Sequence, residues 1–208
     1  MTTALTTMSA KKPQAGVDLL RIVRINEQIK RVVGVSFKIN IMALNAIFLA
    51  KRAGTAARGF GVLSNELRVF SQDLRTCMES LTGLIHACVN EVSVVLQDNR
   101  LANLFDRAAE LAPQHPALLA VLQRRSVEDE KHALHLTKLR RQLKRALEDA
   151  FQMVELGGVL AKSAKIEAAY GQSFAASLAQ VSGEFDGVVE EIRGSLESLR
   201  RSPFFAGN

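Results

Sequence analysis

Apolar residues recur at every third or fourth position through most of this chain, and almost nowhere do they alternate. That is the period of a helix with one buried stripe, not of a half-buried strand. Ile22, Ile25, Ile29, Val32, Ser36, Ile39, Ala43, Ala46, Ala50 and Ala53 fall on one heptad seam. The seam opens with large residues and closes with small ones, so backbones should approach most closely near Gly54. Two glycines, Gly54 and Gly59, then bound a short bend. A second seam follows through Leu67, Phe70, Leu74, Cys77, Leu81, Leu84, Cys88, Val92 and Val95. Its helix runs on to Leu111, with Asn99 the place where a break would fall. Pro113 and Pro116 cannot share a helix interior, so residues 112–116 read as a turn. A third helix carries Leu136, Leu139, Leu143, Ala146, Ala150, Met153, Gly157, Leu160 and Ala164, again large to small. A weaker break near Tyr170 and Gly171 leads to a fourth helix, with Phe174, Leu178, Val181, Phe185, Val188, Ile192 and Leu199 on its seam. Ser202 and Pro203 end it.

Short connections make successive helices antiparallel. The expected fold is all-α: an elongated antiparallel four-helix coiled-coil bundle built from two tandem helical hairpins in one chain. Residues 1–15 read as a flexible leader, and 16–111 as a first hairpin with its tip at 54–59. Residues 112–116 form the turn, 117–202 a second, degenerate hairpin bending near 170–173, and 203–208 a tail. Each inner helix of roughly fifty residues would span about 75 Å.

Composition agrees with helix. Hydrophobic residues make up 48% and aromatics only 5%, with no Trp and one Tyr, so strand formers are scarce. The net charge of +6 favours acidic partners, but it is too modest and dispersed to indicate nucleic acid. Cys77 and Cys88 fall on the seam as buried small hydrophobes, too far apart along one helix to pair, which fits a reducing compartment. The start of the chain lacks the apolar core of a signal peptide. Val32 to Ala50 is long enough to cross a bilayer, yet Lys38, Asn40 and Asn45 would be costly there, so a buried bundle face is the better reading.

Candidate chemistry is thin. His132 and His135 lie one turn apart below Glu128, Asp129 and Glu130, a spacing that can bind metal when a facing helix adds ligands. His86 and Glu91 are the candidates, but no motif repeats, and a solvated charged face is expected instead. Nucleotide-binding and hydrolase motifs and zinc-type cysteine pairs are absent. The basic run Arg140, Arg141, Lys144 and Arg145 reads as a solvated stripe. No metal, no cofactor and no enzymatic activity is expected.

The segment Phe37-Lys38-Ile39-Asn40-Ile41-Met42-Ala43-Leu44-Asn45-Ala46, with Arg52-Ala53-Gly54 and Arg58-Gly59-Phe60-Gly61-Val62 after it, resembles the signalling hairpin tip of methyl-accepting chemotaxis proteins. Ser64-Asn65-Glu66-Leu67-Arg68 continues the likeness, which covers residues 33 to 75. The pattern is F-x-x-N-x-x-A-L-N-A-A-x-E-A-A-R-A-G-E-x-G-R-G-F-A-V-V. Ala164 to Phe174 looks like a faint, shortened echo. The resemblance implies a cytoplasmic signalling module, with the two hairpins of a receptor dimer built into one chain as a pseudo-dimer, or else a homodimer. It implies partners too, a chemotaxis histidine kinase and its coupling protein. The contact candidates it carries over are Phe37, Ile41, Leu44, Asn45, Arg52, Arg58, Phe60 and Val62. Gly54 and Gly59 would form the bend.

The departures also matter. Leu49 and Thr55 stand where the pattern has glutamates, Ala57 where it has a bend glycine, and Lys51 where it has an alanine. The tip is therefore expected to be wholly basic. Paired methyl-accepting acids are not recognisable: Glu27-Gln28 lacks small neighbours and Glu190-Glu191 reads as a solvated face. No ligand-binding domain or paired membrane helices are visible. A stand-alone adaptor, a degenerate receptor relative, a piece of a larger receptor chain, or a scaffold that kept the fold but lost kinase coupling and binds another acidic partner all fit these features.

Overall fold

The computed structural model describes residues 14–112 and 115–205, so nearly all of the expected leader lies outside the described residues. All regular structure among the described residues is helical. It comprises α1 (Gln14–Ala53), α2 (Arg58–Leu111), α3 (Pro116–Ala168) and α4 (Ala175–Arg200), with 3-10 turns at Gly54–Ala57 and Gln172–Phe174. α2 passes Asn99 without the break weighed there.

The chain divides into two compact units. One, the bend unit, comprises Ile25–Gly83 and Lys144–Ser202 and holds both reversals. Its contacts set the helix directions. Gly61 of α2 lies against the Ala50 methyl of α1. The Phe70 ring of α2 covers Gly157 of α3 so closely that a Cβ there would clash. Cys77 Sγ, further along α2, lies 3.9 Å from the Ala146 carbonyl, earlier on α3. Arg193 of α4 pairs with Glu155 of α3 at 3.6 Å, and Arg200 sits over the Phe151 ring at 4.7 Å. Between α2 and α3, and between α3 and α4, the numbers rise on one helix as they fall on the other, and α1 folds back onto α2 across the Gly54 turn, so successive helices are antiparallel.

The seam of α1 is buried as expected from Ile22 to Ala50. The other three seams are shifted by one residue at every second position. On α2 the buried set is Phe60, Ser64, Leu67, Phe70, Ser71, Leu74, Met78, Leu81, Ile85, Cys88, Glu91 and Val92, so Phe70 is buried as expected, while Cys77 and Leu84 are half-buried. On α3, Leu147, Val154 and Ala161 are buried in place of Ala146, Met153 and Leu160. On α4, Ser182 and Val189 replace Val181 and Val188. On α3 both neighbours at each step are apolar, so hydropathy alone does not separate them; on α2 and α4 buried serines add to the ambiguity. Ser64 and Ser182 are fully buried because each hydroxyl donates back within its own helix, to Phe60 O at 2.8 Å and Ala179 O at 2.9 Å. A satisfied serine costs little in a core. A seam drawn through apolar residues alone therefore slides onto their neighbours.

The corrected seams expose an internal repeat. Among the described residues Gly54 and Gln172, one at each reversal, are the positions with positive φ, +67° and +50°. Stepping along the chain by the interval between them carries Ala43, Ala46 and Ala50 onto Ala161, Ala164 and Ala168. The same step carries Phe60, Ser64, Leu67, Ser71, Leu74, Met78 and Leu81 onto Leu178, Ser182, Phe185, Val189, Ile192, Leu196 and Leu199. All of these positions are buried. The bend unit thus contains two copies of one hairpin.

The other unit comprises Leu84–Leu143 with the described parts of Met1–Arg24 and Pro203–Asn208. Two heptad core positions in it are charged. Asp18 of α1, 3% exposed, pairs with Arg140 of α3 and with Arg21 at 3.2 Å. The Arg140 guanidinium lies 4.8 Å from the centroid of the buried Phe204 ring. Arg140 therefore belongs to this core and not to the solvated stripe expected of it, and Phe204 makes the tail part of the packing.

Two stability tests follow. Gln172 occupies a left-handed conformation that costs a side chain about 1–2 kcal/mol. Gln172→Gly should stabilise by about 0.5–1 kcal/mol after the entropy of glycine is counted, whereas Gly54→Ala should destabilise; thermal melts of both variants check this. Asp18→Ala, which strands the Arg140 charge, should cost about 3 kcal/mol. Asp18→Leu combined with Arg140→Met should recover most of that loss in a denaturant titration.

Candidate functional site

The close seam near the first reversal decides what α1 shows to solvent. With Ala43, Ala46 and Ala50 packed inward, the large side chains of the same turns point out. Phe37, Ile41, Leu44 and Phe48 are 59%, 42%, 39% and 65% exposed. Their four-three-four spacing sets them in one stripe along the helix. Lys38, Asn45, Lys51 and Arg52 are exposed beside it, and Arg58 and Val62 are exposed at the start of α2. No acidic residue occurs between Glu27 and Glu66. The surface is apolar with a basic margin. Isolated exposed apolar residues are ordinary, but a continuous stripe marks a contact surface.

Seven of the eight carried-over residues are exposed in this region. Phe60 is not: it is fully buried on the α2 seam and fills the core behind the bend. Phe48 was missed, although it extends the same spacing by one further step. Gly54 supplies the positive φ of the reversal. Gly59 instead provides space, because the Glu167 carboxylate of α3 rests where a Cβ would stand.

That carboxylate corrects the expectation of a wholly basic tip. Glu167 is the repeat counterpart of Leu49, and Glu167-Ala168-Ala169 preserves the E-A-A of the chemoreceptor pattern that the first hairpin lacks. The faint echo in the second hairpin held this signal.

A second cluster lies in the other unit. Glu91, 9% exposed, receives His132 Nδ1 at 2.7 Å and His135 Nδ1 at 2.8 Å, one on each carboxylate oxygen. Asp98 Oδ2 lies 3.9 Å from His132 Nε2. The histidines therefore link α3 to α2: His132 is half-buried, while His135 stays exposed, as do Glu128, Asp129 and Glu130, in keeping with the solvated face expected there. Burial opposes ionisation of Glu91, yet hydrogen bonds from His132 and His135, together with their charge, hold its pKa below the usual carboxylate value. Among the described residues no group of three or more His, Cys, Asp or Glu is arranged to hold a metal ion. Burial pushes the Cys88 thiol up to about 11, a rise that Arg140 opposes and Glu91 adds to; burial, and then Asp149, raise Cys77. Neither thiol is tuned as a nucleophile.

One helical stretch within Gly16–Leu111 is long and apolar enough to cross a membrane by length and composition, and 33% of it is buried. Between Val32 and Ala50 the seam is buried as one face of the bundle, as expected, while the opposite face of the helix is open to solvent.

Comparison with known proteins follows the same lines. Methyl-accepting chemotaxis protein IV of Escherichia coli (strain K12) is 36% identical over 80 residues, 38% of this chain and 14% of the relative. Methyl-accepting chemotaxis protein I of the same strain is 37% identical over 71 residues, 34% of this chain and 13% of the relative. Methyl-accepting chemotaxis protein TlpB of Bacillus subtilis (strain 168) is 36% identical over 63 residues, 30% and 10%. No protein-family model matches the chain, and no solved structure matches it significantly. The chain spans less than a sixth of the length of these relatives. Over these 63 to 80 residues the chain is similar to methyl-accepting chemotaxis proteins, and that likeness, with the antiparallel helical hairpins, supports a signalling domain of that type.

The histidine clamp predicts a pH dependence. A carboxylate whose folded pKa is depressed stabilises fully above its unfolded value, near 4.5, and the contribution fades as pH falls through the lower folded value. Glu91→Gln should therefore cost about 1–3 kcal/mol at pH 6. The gap to wild type should narrow as pH falls below about 4.5 in urea melts monitored by circular dichroism. A gap that widens toward acid would contradict the clamp.

Proposed function

We propose that this chain is a non-enzymatic, cytoplasmic signalling or adaptor protein. It acts by docking the outer face of its first hairpin tip onto a chemotaxis-type histidine kinase and its coupling protein. The observation that carries this reading is the exposed stripe of Phe37, Ile41, Leu44 and Phe48 with its basic margin. It lies beside the Gly54 reversal, in a chain with stretches 36–37% identical to chemoreceptors. Apolar side chains at the centre of such a contact supply most of the affinity. Arg52 and Arg58 present planar guanidinium donors to carboxylates at its rim. Asn45 and Val62 complete the surface, and Phe60 supports it from within. Because the bend unit contains two copies of the hairpin, a single chain can supply what a receptor dimer supplies with two, and we take the working state to be a monomeric pseudo-dimer.

A second reading rests on the replacement of two tip glutamates by Leu49 and Thr55. In it the fold is kept, kinase coupling is lost, and another acidic protein is bound.

Sedimentation of the purified chain, alone and with the kinase–coupling-protein pair, separates the two. Under the first reading a complex forms, and Arg58→Glu and Ile41→Glu each weaken it at least about tenfold, the effect of some 1.4 kcal/mol. A folded chain that leaves the pair unbound favours the scaffold reading.

A further inference from the structure

The second hairpin has an outer apolar face of its own. Leu156, Val159, Ile166 and Tyr170 of α3 are 59%, 59%, 64% and 69% exposed. With the half-buried Ser163 among them they step by three, four, three and four residues, one stripe along the helix. The cause is that of the first stripe: Ala161, Ala164 and Ala168 pack inward, so the large side chains of those turns face out. Yet this stripe is not a copy of the first. The repeat interval carries its four apolar residues back onto Lys38, Ile41, Phe48 and Arg52, and carries Phe37 and Leu44 forward onto Glu155 and Lys162. Lys162 and Lys165 stand beside the stripe, exposed and in no ion pair among the described residues. Two acids of α3 lie near them, but both are held within the bundle. Glu155 pairs with Arg193 of α4 at 3.6 Å, and the Glu167 carboxylate rests on Gly59 of α2. The unpaired charge that α3 sets along this face is therefore positive.

Within the bend unit α2 touches both α1 and α3, and α3 touches α4. α1 and α3 thus stand at opposite corners of the four helices, with their outer faces turned apart. From this we infer that the chain is bivalent: α3 carries a second docking face, turned away from the first, for an apolar helix edged with carboxylates. A continuous apolar stripe marks a contact surface, and lysines at its margin select an acidic rim. A second copy of this chain is a poor occupant, because either of its faces would bring cations against Lys162 and Lys165. A chain with two such faces bridges two partner molecules. Partners linked to each other are then held by both contacts at once, so losing either contact weakens the whole.

The inference rests on the proposed function for the partner's chemistry, and a second probe keeps the two separable. One probe is the kinase–coupling-protein pair. The other is a synthetic amphipathic helix with a leucine stripe edged by glutamates. Each is titrated into the wild-type chain, Ile41→Glu, Ile166→Glu and the double variant, with sedimentation giving the number bound. Ile41 and Ile166 both face solvent, and circular dichroism melts check that every variant stays folded. The expected result is two peptides per wild-type chain and one per single variant. The double variant should bind peptide at least about tenfold more weakly, and each single variant should weaken the kinase pair. One peptide per wild-type chain, or an unchanged count in Ile166→Glu, would overturn the second face. So would a concentration-dependent rise in the mass of the chain alone that Ile166→Glu abolishes, since the occupant would then be a second copy. If two peptides bind and the kinase pair does not, the second face stands and the kinase reading falls. If peptide and pair each bind once and only Ile41→Glu weakens them, the kinase reading stands and the second face falls.

Discussion

Close approach of backbones at the first reversal is the constraint on which the rest depends. Ala43, Ala46, Ala50, Ala161, Ala164 and Ala168 are all buried there, and the repeat sets the second three on the first. Interiors pack to the density of organic crystals, so a seam of alanines leaves no room for larger groups. Phenylalanine, isoleucine and leucine on the same turns must therefore face water. The apolar stripe of α1 is the other side of a thin core, and one design choice produces both. It also makes the bend unit lean on dispersion between closely packed small groups more than on buried area.

Placing both hairpins in one chain changes what selection can reach. In a symmetric dimer every substitution appears twice, so a glutamate lost from one face is lost from both. Here the copies carry separate residues at each position. Leu49 replaces the patterned acid in the first, while Glu167 supplies it in the second, resting against Gly59 of the neighbouring helix. The two form one tip, and the acid absent from one strand of the pattern is present across the bundle. Asymmetry of the outer faces has the same origin.

Much of this was legible from the chain alone. Helical period, bends and tandem hairpins follow from spacing, glycine and proline, and those signals are local. The seams of α2, α3 and α4 were legible only to within one residue. On α3 the error arose because both neighbours at each step, such as Met153 and Val154, are apolar; on α2 and α4 it also arose because Ser64, Ser71 and Ser182 occupy core positions that hydropathy assigns to the surface. Their hydroxyls are satisfied by carbonyls within the same helix, a bond that composition does not show. Phe60 was read as a contact residue from its place in a motif, but a slip of one position separates inside from outside on a helix. Arg140 was read as solvated, and Glu91 only as a candidate metal ligand, for the same reason that Asp18 drew no notice. A charged residue reads as exposed until its partner on another helix, or from the chain end, is known.

Those charged and polar core positions do more than fill space. A seam built from alanine and leucine repeats every seven residues, so sliding one helix past another by a heptad changes little in apolar contact. A slip of that size would move Asp18 away from Arg140 and leave both charges in an apolar layer, at a cost of several kcal/mol. It would also carry Phe70 off Gly157, where no other side chain fits beneath its ring. Glu91, gripped by two histidines one turn apart, adds a third such lock. Each fixes α3 against α1 or α2 and acts within one of the two units. Apolar burial drives these helices together, but it is the polar and shape-specific positions that decide which residues of α1 meet solvent, and so where the docking stripe lies.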